Sequence, residues 1–156
     1  MFDVRSLFAA LRRPAPPTAF VRGAVALDRG DFVAALAELD IAASETSEDA
    51  QRATLENKRG VALIGLGERD GAIAAFERAL RWDERCAPAL ANVGNLLFED
   101  GHVADAIDYY RAAIRADENY ALGYQNLGVA LKAAGRRGEA VRALRTATRL
   151  GGRRRP

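Results

Sequence analysis

His102 and Cys86 carry side chains that often mark a reactive site, and each stands by itself. A bound metal needs several ligands at matched spacing, and a nucleophilic cysteine needs a cation or helix terminus that lowers its pKa. His102 is the sole histidine and falls in the short polar turn "EDGHVAD", so it reads as an exposed turn residue. Cys86 is the sole cysteine. It can form no internal disulfide, and beside "APAL" it reads as a buried, inert thiol. Asp100, Asp105 and Asp108 fall on loop and outer helix positions, and nothing in their spacing recommends them as an acid–base pair. No glycine-rich phosphate loop, zinc spacing or nucleophile elbow is present. The expectation is a protein with no catalytic residues, no metal and no cofactor: not an enzyme.

The 156 residues suffice for one domain with a substantial core, and 49% hydrophobic against 28% charged is an ordinary globular balance. Alanine and leucine dominate and β-branched residues are sparse, which favours helix. No apolar run reaches the ~18–20 residues that span a bilayer. Asp3 and Arg5 interrupt the segment where a signal peptide needs apolar continuity, so a cytoplasmic location is expected. The net charge of +2 conceals an asymmetry. Residues 1–120 hold 14 Lys and Arg against 20 Asp and Glu, a balance of −6, and residues 121–156 hold nine against one, a balance of +8.

The glycines that might have suggested a ligand recur instead at a fixed period. Gly60, Gly94 and Gly128 are 34 residues apart, within "LENKRGVALIGLG", "LANVGNLLFEDG" and "YQNLGVALKAAG". Seven residues after each stands a second glycine (Gly67, Gly101, Gly135), twelve after an alanine (Ala72, Ala106, Ala140). Sixteen after comes a large apolar residue (Phe76, Tyr110, Leu144), and nineteen after another alanine (Ala79, Ala113, Ala147). An earlier copy has Gly23, Gly30, Ala35, Leu39 and Ala42 at the same offsets, with three extra residues in the polar connection "SETSEDAQR" that follows it. A glycine inside a helix costs roughly 0.5–1 kcal/mol relative to alanine. Close helix approach offsets that cost if Gly94 and Ala106 face one another where a larger side chain would force the helices apart. The second glycine of each copy is expected to end the first helix in the left-handed conformation.

This pattern resembles the tetratricopeptide repeat, a 34-residue helix–turn–helix unit, over residues 16 to about 154. The resemblance implies an all-α fold: a right-handed α-solenoid of antiparallel helix pairs, held by nearest-neighbour interfaces. The repeats would cover 16–52, 53–86, 87–120 and 121–154, with residues 16–152 as a single domain. Helix pairs are expected near 18–29/32–44, 53–66/69–82, 87–100/103–116 and 121–134/137–150. Glu84 and Glu118 stand where the family often has proline. Ala19 and Arg22 replace large apolar residues in the first copy, whose first helix should pack less tightly.

The resemblance further implies a concave groove, lined by the first helix of each unit, that takes a peptide or helix of a protein partner. Its lining would be Asn57, Lys58, Val61 and Ile64 in the second repeat, Asn92, Asn95 and Phe98 in the third, and Gln125, Asn126, Val129 and Lys132 in the fourth. A face built only for solubility would favour Glu, Lys and Arg, whereas a carboxamide both donates and accepts and so can pair with any peptide backbone. Phe98 and Ile64 would offer apolar pockets, and Asn92, Asn95 and Asn126 are expected to be exposed in the unbound form. The clamp that some family members use for a terminal carboxylate does not fit, because Ala91 and Val129 stand where further basic or polar residues would be needed. The function expected is an adaptor or scaffold between proteins.

Two segments stand outside the repeats. Residues 1–15 place Val4, Leu7, Phe8 and Leu11 on one helical face, followed by the stiff "PAPP". That face could cap the first repeat, contact a membrane surface peripherally, or enter the groove of a neighbouring copy. The last reading gives a self-assembling homo-oligomer whose basic end meets an acidic or membrane surface. Residues 151–156 end in arginines, after Arg142, Arg145 and Arg149 on the last helix. These serve either as a polar cap or as a contact for an anionic partner, and the lack of interleaved aromatics disfavours nucleic acid.

Overall fold

The computed structural model of the protein describes residues 18–152. The amphipathic segment around Val4, Leu7, Phe8 and Leu11, the "PAPP" tether and Arg153, Arg154 and Arg155 lie outside the described residues.

Among the described residues eight helices follow one another: α1 (Ala19–Asp28), α2 (Phe32–Glu45), α3 (Asp49–Gly65), α4 (Arg69–Trp82), α5 (Ala87–Glu99), α6 (Val103–Ala116), α7 (Ala121–Ala133) and α8 (Arg137–Gly152). No strand occurs among the described residues. Each odd-numbered helix packs chiefly on the even one that follows, and each even one on the next odd one. The first helices of neighbouring units also touch, α1 with α3 and α5 with α7, more closely than the second helices do. The first helices therefore occupy the inner, shorter-radius layer of the stack.

The turn inside each unit has one chemistry. Gly30, Gly67, Gly101 and Gly135 all adopt φ between 75° and 82°, a region other residues rarely enter. The amide after each glycine donates to a carbonyl five residues back: Asp31 to Ala26, Glu68 to Leu63, His102 to Leu97 and Arg136 to Leu131, at 2.8–2.9 Å. This is the Schellman closure, which satisfies orphan carbonyls at a helix end. Thr18 and Asp31 cap the helices that follow them, accepting from Val21 and Ala34.

The helix-interior glycines are explained by what covers them. A methyl group on Gly94 would lie 2.7 Å from Cε1 of Tyr110, on Gly60 2.4 Å from the Phe76 ring, and on Gly128 2.6 Å from Cγ of Leu144. The large residue sixteen positions on therefore lies flat against the glycine backbone, and Ala106 is fully buried behind it. The close approach expected from the sequence is present, and the ring of Tyr110, rather than Ala106, is what presses on Gly94.

Helix bounds agree with the sequence reading except at one point. α3 begins at Asp49, a turn earlier than the period suggests. The extra residues of the first connection are not loop: Asp49 to Arg52 extend the helix, with Asp49 at its positive end.

Candidate functional site

The first helices place the asparagines in one row, and they bond to one another. Nδ2 of Asn126 donates to Oδ1 of Asn95 at 2.9 Å, Nδ2 of Asn95 to Oδ1 of Asn92 at 3.5 Å, and Nδ2 of Asn92 to Oδ1 of Asn57 at 2.8 Å. Oδ1 of Asn95 also accepts from the hydroxyl of Tyr110 at 2.9 Å. Every bond in the row points the same way, from α7 through α5 to α3, so each carboxamide polarises the next. Two of the links cross between units.

Exposed asparagines were expected, and this is corrected: Asn57 is buried and Asn92, Asn95 and Asn126 are half-buried. The reason is the thirty-odd residues between partners, which the repeat brings face to face across the inner layer. Tyr110, which the sequence marks as a packing residue and not as part of the groove lining, belongs to the same network. Its place sixteen residues after Gly94 lets its ring cover that glycine while its hydroxyl emerges beside Asn95. Burial, with the Glu99 carboxylate adding to it, pushes the Tyr110 phenol up to about 12, so it remains a donor at neutral pH.

Beside the row lies a narrow cleft of about 120 Å³, walled by Val61, Ile64, Asn92, Asn95 and Glu99 over a floor of Phe76 and Leu96. Val61 and Ile64 are 38% and 43% exposed, large apolar side chains left facing water. Val129 is likewise exposed on α7, with Gln125 and Lys132. Phe98 does not line this cleft; it is half-buried against the core of the third and fourth units. Lys58 is half-buried, its ammonium 5.6 Å from the Phe20 ring centre, at the boundary of the first two units. Arg69 ties the far rim: it bonds Glu99 at 2.9 Å, Asp100 at 2.7 Å and the Leu96 carbonyl at 3.2 Å.

Elsewhere the reactive groups are quiet. Cys86 is buried at the start of α5, and burial pushes its thiol up, away from thiolate. His102 is exposed in its turn. Among the described residues no cluster of His, Cys, Asp and Glu could hold a metal, and no helix is long and apolar enough to cross a membrane.

Residues 57–121, which contain most of the asparagine row, match the family model of the tetratricopeptide repeat. That segment carries tetratricopeptide repeats, and the described chain around it has the same fold. Among solved structures, the crystal structure of MamA superposes with a TM-score of 0.66 at 23% identity, covering 96% of this chain and 87% of that one. YrrB, described as a tetratricopeptide repeat protein with an unusual peptide-binding site, gives 0.59 at 22% identity over 82% of this chain and 64% of that one. The second such domain of Spaghetti (RPAP3), solved with the HSP90 peptide SRMEEVD, gives 0.59 at 25% identity over 65% of this chain and 94% of that one. No curated protein sequence matches the chain.

Proposed function

We propose that this protein is a non-enzymatic adaptor that holds a peptide segment of a partner protein along the asparagine row. The observation that carries the reading is the pairing of a continuous carboxamide row with an open apolar cleft at its side. Each carboxamide has two N–H groups and two lone pairs. The row uses one N–H of each of Asn92, Asn95 and Asn126, leaving a second for a partner carbonyl. A small cleft floored by Phe76 and Leu96 suits one aliphatic side chain of an extended segment, whose backbone would run beside the row. That division, backbone to the carboxamides and side chain to the cleft, is how an extended peptide gains both affinity and selectivity.

Peptide binding by YrrB and by the second repeat domain of RPAP3 supports the reading by analogy of fold. Lys58 is held over Phe20, and the corresponding position of the next unit is Asn92 rather than a second basic residue, so a carboxylate-ended tail is not the favoured ligand. The test is selection of peptides from a random display library against the full chain, followed by titration into isotopically labelled protein. The side-chain amide signals of Asn57, Asn92, Asn95 and Asn126 should shift together with the methyls of Val61 and Ile64. Shifts confined to other faces of the solenoid would refute the assignment.

A further inference from the structure

A concavity of about 500 Å³ lies away from the asparagine row, at the edge of the first two units. Phe20, Ala42, Ala50 and Leu55 form its apolar walls, Glu45 stands on its rim, and Thr18 lines its mouth. The register of the repeats explains why it exists. α5 and α7 begin seven residues before their helix glycines, α3 begins eleven before, and α1 only four before. Five and seven residues before the glycine, the second unit has Leu55 and Ala53 and the third has Ala89 and Ala87, all buried. In the first unit the same positions fall on Thr18, which is exposed, and Pro16. The cavity is therefore the space that a first turn of α1 would fill, enlarged by the extra turn at the start of α3. A concavity of this size and apolar lining is of the order that encloses a ligand, about 300–1,000 Å³.

We infer that this cavity is the seat of the chain's own residues 1–13, with Val4, Leu7, Phe8 and Leu11 as the side chains that enter it. Three observations select that occupant. Position is the first: Thr18 is at the cavity mouth, and residues 14–17 can span at most about 14 Å, so the segment is delivered to this site and to little else. Patterning is the second: the four apolar residues recur at i, i+3, i+4 and i+7, and an isolated helix of that length is marginal until its apolar face is covered. Charge is the third. Residues 1–13 carry Arg5, Arg12 and Arg13 against Asp3 alone, and the rim offers Glu45 with Glu48 and Asp49 just beyond. Glu48 is bonded there by Gln51, which Thr46 also contacts, while the nearby Arg22 is paired with Glu38. A short tether gives an effective concentration on the order of millimolar, which favours the chain's own segment over that of a second copy at ordinary protein concentrations. The consequence is a closed first unit that leaves the asparagine face open.

The test is paramagnetic relaxation on the full chain. A nitroxide is attached at Ser47→Cys, an exposed position near the rim, in a Cys86→Ala background, and amide signals of residues 4–11 are followed. These signals should be strongly broadened, and Phe8→Asp with Leu11→Asp should remove most of the broadening and lower the melting temperature by several degrees. Equal broadening with and without the aspartates would mean the segment is merely tethered nearby, and the inference fails. Mixing nitroxide-labelled, isotope-free chain with isotope-labelled, nitroxide-free chain decides the source. Broadening that appears in the mixture assigns the cavity to a second copy and also overturns the inference.

Discussion

Gly94 and Tyr110 form one contact seen from two sides, and substitution at either end tests it. Alanine at Gly94 gains about 0.5–1 kcal/mol of helix propensity, yet its methyl would lie 2.7 Å from a rigid ring. Overpacking of that kind costs about 1–3 kcal/mol, so Gly94→Ala should destabilise on balance. Gly60→Ala, at 2.4 Å from Phe76, should destabilise more. Gly71 is the control: a methyl there meets Leu63 at 3.5 Å, an ordinary contact, so Gly71→Ala should raise stability by a few tenths of a kcal/mol up to about 1. Urea unfolding of the three variants measures the order directly. Tyr110 adds a pH signature. Its folded phenol is raised from 10.0 to about 12, so its contribution is complete below pH 10 and is lost as pH rises through that window. Tyr110→Phe should cost about 0.5–1.5 kcal/mol at neutral pH, from the lost bond to Asn95. It should also show a shallower fall in stability from pH 10 to 12 than the unmodified chain.

At the scale of the helix, the period of the glycines and alanines placed seven of the eight helix starts within a residue or so, because each offset corresponds to a physical demand. A left-handed turn needs glycine, and a ring lying on a helix backbone needs glycine beneath it. The start of α3 escaped because polar residues between repeats look alike whether they extend a helix or cross a gap. The asparagines were legible as a row on one face, but not as a bonded row. Partners such as Asn57 and Asn92, or Asn95 and Asn126, are far apart in sequence, and the distance between successive first helices is set by packing. Tyr110 was missed because its ring already had a structural explanation. The consequence for stability is specific. Asn95 accepts two bonds, so Asn95→Ala strands the Tyr110 hydroxyl and an Asn126 N–H, and should cost about 1–3 kcal/mol. Gln125, exposed and outside the row, should tolerate alanine with no measurable loss. Thermal melts of the two variants side by side check this.

At the scale of the molecule, the stack is held by neighbour-to-neighbour contacts, and its inner layer carries the asparagine row. Carboxylates in ion pairs make the array acid-sensitive in a definite sense. Glu38 beside Arg22 and Glu139 beside Arg136 are held below the usual carboxylate range. Their stabilisation is present above that range and fades as pH falls through the lowered values, so melting temperature should decline below about pH 4 and change little between 6 and 8. The central claim is the groove, and its most direct test must disturb binding without disturbing the fold. Val61 and Ile64 permit this, since both face water beside the asparagine row and neither belongs to the buried core. The measurement is the affinity of the full chain for library-selected peptides, taken together with the melting temperature, for the Val61→Asp, Ile64→Asp double variant. An account in which an aliphatic side chain enters that cleft predicts at least a tenfold loss of affinity, about 1.4 kcal/mol, with the melting temperature nearly unchanged. Undiminished affinity in a folded double variant would contradict it.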